Sequence, residues 1–147
     1  MAFSLHPLSE TDADRVAMIH RAAREDRLPW LPELHTPDED RQFFRTVVFD
    51  ECEVWGAVDG EIVGFIAFRE GWIDHLYVLP QHQSQGAGHA LLKVAQAASP
   101  SLQLWTFQRN GPARAFYEKR GFVAVRFTDG SDNEEREPDI LYRWDAA

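Results

Sequence analysis

Leu76-Tyr77-Val78-Leu79-Pro80-Gln81-His82-Gln83-Ser84-Gln85-Gly86-Ala87-Gly88-His89-Ala90-Leu91-Leu92 is the stretch on which the reading of this chain turns. A β-branched and aromatic run ends at Pro80, a polar loop with two glycines one residue apart follows, and a helical pattern begins. Glycines let backbone N–H groups turn toward a ligand, and a helix N-terminus adds positive potential. Together they make a site for a pyrophosphate. The dinucleotide fingerprint does not fit, because Leu91 stands where the third glycine belongs. A Walker loop does not fit either, since no Gly-Lys-Ser/Thr is present. Taken alone, the stretch also reads as a strand-to-helix turn that binds nothing.

Working outward, the period of two continues on both sides. Glu53 to Val58 and Glu61 to Arg69 are strand-like runs joined by Asp59-Gly60, a two-residue hairpin signal. Trp72 to Val78 is the next strand. Downstream, Gly86 to about Ser99 is helical, with Ala90, Leu91, Val94 and Ala98 on one side. Leu102 to Phe107, Phe122 to Thr128 and Ile140 to Trp144 read as strands, and Ala113 to Arg120 as a short helix closed by Gly121. Upstream, Phe3 to Pro7 is a short strand and Thr11 to about Asp26 a helix with Val16, Ile19, Ala22 and Ala23 on one face. Thr36-Pro37-Asp38-Glu39 supplies a cap, a proline at the first helical position and the acid of a capping box. The helix it opens runs to about Val48, with Phe43, Phe44 and Val47 turned inward.

These elements alternate without repeat or linker, which predicts one α/β domain over residues 1–147. Hydrophobic residues at 44% and charged residues at 27% fit an ordinary globular chain. No apolar stretch approaches the roughly 18 residues that span a bilayer, and the N-terminus lacks a signal peptide's basic and apolar regions. Cytoplasmic location and no membrane association are the expectation. A net charge of −9 argues against nucleic-acid binding. Cys52, the single cysteine, excludes an internal disulfide. The even spacing of His75, His82 and His89 suggests metal ligands until the elements are assigned. The three then fall on a strand, a loop and a helix, and no metal is expected.

Gln83-x-x-Gly86-x-Gly88, placed after a strand and opening a helix, resembles the acetyl-CoA loop of the GNAT family of N-acetyltransferases. A second match follows in the family's order: Asn110-Gly111-Pro112-Ala113-Arg114-Ala115-Phe116-Tyr117-Glu118-Lys119-Arg120-Gly121-Phe122 is similar to its Asn and Ala-Arg-x-Phe-Tyr-x-x-x-Gly-Phe signature. The resemblance runs from about Phe3 to Trp144. It implies a twisted mixed sheet of about six to seven strands flanked by four helices, with acetyl-CoA as cosubstrate and an amine as acceptor.

The resemblance also implies residue roles. The backbone of the Leu76-Tyr77-Val78 strand, through Leu76 and Val78, pairs with the pantetheine arm. Gln83, Ser84, Gln85, Gly86, Ala87, Gly88 and His89 cradle the pyrophosphate. Gln85 takes a place often held by a basic residue, which shifts the load to backbone donors. Asn110 holds the amide-bearing arm, and it also reads as a turn residue before Gly111-Pro112. Tyr117 receives the thiolate that transfer releases. Phe116, about 100° away around the helix, reads as a packing residue.

For the acceptor side the expectations are as follows. Asp74, two residues before Leu76, is aimed by alternation at the cleft as base or as cation site. His75 points the other way. Trp30, in Leu28-Pro29-Trp30-Leu31-Pro32, supplies a rigid apolar wall. The loop from Asp129 to Asp139 carries six acids against one arginine. It reads either as a solvated hairpin loop or, through Glu134 and Glu135, as a lure for a cationic acceptor. Small amines are the expected acceptors. A protein lysine or N-terminus is the alternative within the enzyme class, and a non-catalytic acyl-CoA sensor the alternative outside it. A homodimer is a further possibility that the resemblance raises.

Overall fold

The computed structural model describes residues 3–147. Seven strands form one sheet in the order β1-β2-β3-β4-β5-β7-β6. They are β1 (Ser4–Pro7), β2 (Glu53–Asp59), β3 (Glu61–Arg69), β4 (Trp72–Val78), β5 (Ser101–Phe107), β6 (Val123–Phe127) and β7 (Asp139–Asp145). Four helices flank it: α1 (Ala13–Arg27), α2 (Pro37–Phe43), α3 (Ala87–Ala98) and α4 (Gly111–Lys119). A mixed sheet of this size with four helices is the architecture expected from the sequence.

Local chemistry sets the boundaries. Gly60, at φ +77°, turns β2 into β3. Thr36 caps α2: its side chain accepts from the Glu39 N–H while the Glu39 carboxylate accepts from the Thr36 N–H. α2 runs without a break into a π-helical segment, Phe44–Val48, and a last turn, Phe49–Glu51. That widening alters which residues face inward. Phe44 and Val48 are buried, whereas Phe43, expected inside, is 46% exposed.

β3 shows why its sequence is an almost unbroken apolar run. Val63 to Phe68 are all buried, because α1 packs on one face of the strand and α3 on the other. Val16 and Ile19 of α1 and Leu91 and Leu92 of α3 are fully enclosed with Phe65 and Ile66. Removing one such leucine side chain costs about 2–5 kcal/mol.

All strand pairs are antiparallel except β4 with β5, and that parallel pair meets at one register position, Trp72 opposite Gln103. Beyond it the two strands splay. On the other flank β4 keeps its ladder with β3 through Leu76, Tyr77 and Val78. The register there skips a residue: His75 faces Ala67 and Ile73 faces Phe68, so Asp74 is bulged out.

Candidate active site

A half-open cavity of about 420 Å³ opens beside the end of β4, beyond the point where β5 has splayed away, between that strand and α4. Its floor is Leu76, Tyr77 and Val78, its near wall the Gln83–His89 loop, and its far wall Asn110, Phe116 and Tyr117 on and before α4. The C-terminal end of α1 closes it from above with Arg24, Arg27 and Leu28.

The floor is made of backbone. Leu79 N–H bonds to Val63 O on the β3 side, so alternation turns the N–H and C=O groups of Val78 and Leu76 toward the splay, where no strand pairs with them. The Val78 carbonyl accepts from Gln83 Nε2 at 2.9 Å, which ties the loop to the strand. An extended amide-bearing arm laid in the splay completes the ladder.

The loop is set by two residues in the left-handed region. Gly86, at φ +88°, is the cap of α3, and Ser84 adopts φ +67° without being a glycine. Backbone strain of that kind gathers where a chain is shaped for a ligand. Nothing stands within 4 Å of where a Gly86 Cβ would lie, and a Gly88 Cβ would meet the Phe116 ring at 3.6 Å and a Val78 methyl at 3.9 Å, both ordinary contacts. Packing alone therefore does not demand glycine at 88. Gln85 and Ala87, both expected in the cradle, do not line the cavity: Gln85 faces solvent and Ala87 is buried under the helix.

Asn110 is a turn and cap residue that also faces the cavity. Its Oδ1 accepts from Ala113 N–H at 3.2 Å as the cap of α4, and the residue lines the cavity. Tyr117 is held edge-on between Phe116, with ring centres 5.1 Å apart, and Phe122 at 5.3 Å. Burial, with a smaller contribution from Tyr77, pushes its phenol well above the usual range. The group stays protonated at any working pH, a donor rather than a base. Phe116 packs against the core, as the packing role read for it expects, and also lines the cavity.

Asp74 is not where alternation placed it. The bulge carries it to the surface, where Arg69 binds it through Nε at 2.7 Å and Nη2 at 3.1 Å, and Cys52 Sγ donates to it at 3.4 Å. It does not line the cavity, and neither does any other Asp or Glu among the described residues. The Cys52 thiol, partly buried beside that carboxylate, is pushed up to about 12 and is no nucleophile. His75 packs with His20, Phe44 and Phe65 on the opposite face, as expected.

The two loops read as acceptor walls meet each other. His35 Nε2 lies 2.7 Å from Glu134, and Arg24 Nη2 lies 3.7 Å from Glu135 and 3.2 Å from Pro32 O. Trp30 stacks under the Arg109 guanidinium at 3.9 Å, and Arg109 in turn holds Glu137 at 2.8 Å. Trp30, Glu134 and Glu135 thus brace the rim and do not line the main cavity. Glu135 lines a second hollow of about 430 Å³ with Trp105, Phe107 and Asp139. Glu134 and Glu135, read as a lure for a cationic acceptor, thus each stand beside a basic side chain of the N-terminal half. Sequence reasoning also missed Arg24, Arg27, His82 and Arg120, all on the cavity wall.

A sequence profile described as an acetyltransferase (GNAT) domain matches residues 50–124, which takes in the splayed strand, the loop and α4. The chain belongs to the GNAT family. A peptidyl-lysine N-acetyltransferase, YiaC of Escherichia coli, is 37% identical over 68 residues, 46% of this chain and 47% of that protein. The chain thus spans about half the length of this curated relative. An N-alpha-acetyltransferase of Sulfurisphaera tokodaii is 27% identical over 83% of this chain and 84% of its own. Among solved structures, apo YjaB of Escherichia coli superposes with a TM-score of 0.81 at 21% identity, each chain fully covered. The PaiA N-acetyltransferase of Thermoplasma acidophilum, solved with coenzyme A, superposes at 0.79 with 16% identity over 99% of both chains. At those identities the likeness is one of fold.

Proposed function

We propose that this GNAT domain is an enzyme that transfers an acetyl group from acetyl-CoA to a primary amine, directly and within a ternary complex. The observation that carries the reading is the splay beyond Trp72 and Gln103, where no strand pairs with the outer edge of Leu76 and Val78, beneath the loop shaped by Ser84 and Gly86 and with Tyr117 opposite. Pantetheine extends the sheet along β4, and the loop and the α3 N-terminus take the pyrophosphate. The neutral amine attacks the thioester carbonyl, whose oxygen is polarised by backbone N–H near Val78. The C–S bond breaks, and the sulfur takes the proton of Tyr117, which is restored from solvent. No carboxylate lines the cavity, so the proton lost by the amine leaves through water rather than to an adjacent base.

The acceptor is an amine on a slender stem, a small polyamine or a lysine side chain, that passes the braced rim. The peptidyl-lysine activity named for YiaC favours the lysine form. The name of the Sulfurisphaera tokodaii protein supports a second reading, a peptide N-terminus. Thiol release from acetyl-CoA with polyamines, lysine peptides and N-terminal peptides separates them. Release with a lysine or polyamine acceptor is the expected result. Coenzyme A binding without release from any amine contradicts enzymatic transfer and points to a sensor.

A further inference from the structure

Most arginines of this acidic chain are spoken for. Among the described residues, nine of the 13 hold a carboxylate within salt-bridge distance. Of the four that do not, two line the cavity: Arg27 at the end of α1 and Arg120 just after α4. In a molecule of net charge −9, a guanidinium left without a carboxylate on a cavity wall is a charge kept for a ligand.

The two sit at different ends of the loop. Arg27 Nη2 donates to the Gln83 side chain at 2.5 Å, where the loop begins. Arg120 is fixed where the loop has become helix. Its Nε donates to His89 Nδ1 at 2.7 Å, its Nη1 donates to Phe116 O at 2.9 Å, and its plane lies 3.9 Å over the Phe116 ring. Nη2 has no acceptor among the described residues. Because His89 Nδ1 accepts from Arg120, its ring proton sits on Nε2, which leaves a second free donor. Desolvation and the charges of Arg120 and Lys93 hold the imidazole below its ordinary pKa, so the ring is neutral at neutral pH. The result is a fork of donors on the cavity wall, starting at the residue that follows Gly88.

We propose that Arg120 and His89 form a phosphomonoester subsite that reads the 3′-phosphate of the coenzyme A ribose, separate from the pyrophosphate cradle of the loop and Arg27. The proposal rests on the donor reading given above and adds the residues that tell coenzyme A from its dephospho form. The loop has no basic side chain between Gln83 and Gly88. Charge complementary to the ligand phosphates therefore comes from helix ends rather than from the loop.

Calorimetric titration of the full chain with coenzyme A and with 3′-dephospho-coenzyme A tests it. Wild type binds coenzyme A about tenfold or more tightly than the dephospho form, the scale of one charge-assisted phosphate contact. Arg120→Gln brings that ratio to about one and leaves the dephospho-coenzyme A affinity unchanged, which also shows that the variant is folded. Arg27→Gln weakens both ligands and preserves the ratio. Equal wild-type affinity for the two ligands, or a ratio that survives Arg120→Gln, overturns the subsite while leaving the donor reading intact. Failure of wild type to bind either ligand overturns the donor reading itself.

Discussion

The donor cavity and the acceptor rim are made from different materials. In the cavity the groups the proposal gives to the thioester arm are main-chain atoms of β4 and of the loop, fixed by the β3 ladder, by Gln83 on the Val78 carbonyl and by left-handed backbone at Ser84 and Gly86. At the rim the positions depend on side chains crossing between loops: His35 with Glu134, Arg24 with Glu135, Trp30 with Arg109. Main-chain geometry held by a sheet is costly to distort. Half-exposed ion pairs are worth about 0–1 kcal/mol each. Substitutions in the first region should therefore remove function outright, and those in the second should retune it.

The largest effect belongs to Tyr117. Tyr117→Phe is expected to lower kcat by about 10²–10³-fold, as loss of a transition-state donor does, with the KM for acetyl-CoA nearly unchanged. Because burial raises this phenol, the wild-type pH profile carries no alkaline limb from it below pH 10. A Tyr117→Phe protein that keeps wild-type kcat sinks the donor role.

Next comes acid stability on the donor side, where His20 packs against Tyr77 and His75 beneath the floor. Desolvation holds His20 at about 3 and His75 at about 4. The unfolded chain takes up protons near pH 6.5, and the fold resists them until these lower values. Stability therefore falls as pH drops from about 6.5 toward 4, by up to about 1.4 kcal/mol per pH unit for each histidine. Urea unfolding across that range should show the slope, and His75→Phe should remove roughly half of it. A slope unchanged in the variant assigns acid sensitivity elsewhere.

The rim gives smaller changes. Glu135→Gln frees Arg24 and is expected to alter the KM for the acceptor by about two- to fivefold, in line with one partly exposed ion pair, while leaving the KM for acetyl-CoA alone. A large fall in kcat instead would make Glu135 part of the proton path. Smallest of all, Asp74→Asn should keep kcat/KM across pH 6–9 within about twofold and cost about 1 kcal/mol or less of stability. A collapse of kcat/KM would restore Asp74 to the chemistry.

The same division explains what the sequence made legible. Main-chain features leave local marks: Gly86 and Gly88 after a strand, Asp59-Gly60 between strands, Thr36-Pro37-Asp38-Glu39 before a helix. The fold, and the strand, loop and helix that wall the cavity, were accordingly readable. Asp74 was misplaced because a bulge adds one residue and resets the alternation on which its direction was inferred, and no glycine or proline marks it. Phe43 was misplaced because the π-helical Phe44–Val48 breaks the 3.6-residue period. The rim was illegible for another reason. Pairs such as His35 with Glu134 join residues 99 apart, and nothing local in either segment names the partner. Arg27 and Arg120 become distinctive only once the carboxylate partners of the other arginines are known.

The central claim is that the splay and its glycine loop are the coenzyme A site, and affinity for coenzyme A in Gly86→Val tests it most directly. Valine at φ +88° strains the loop in open space, so the damage is local. The account predicts at least about a 100-fold weaker Kd with a melting temperature close to wild type. Coenzyme A binding at wild-type affinity by a folded Gly86→Val protein would contradict it.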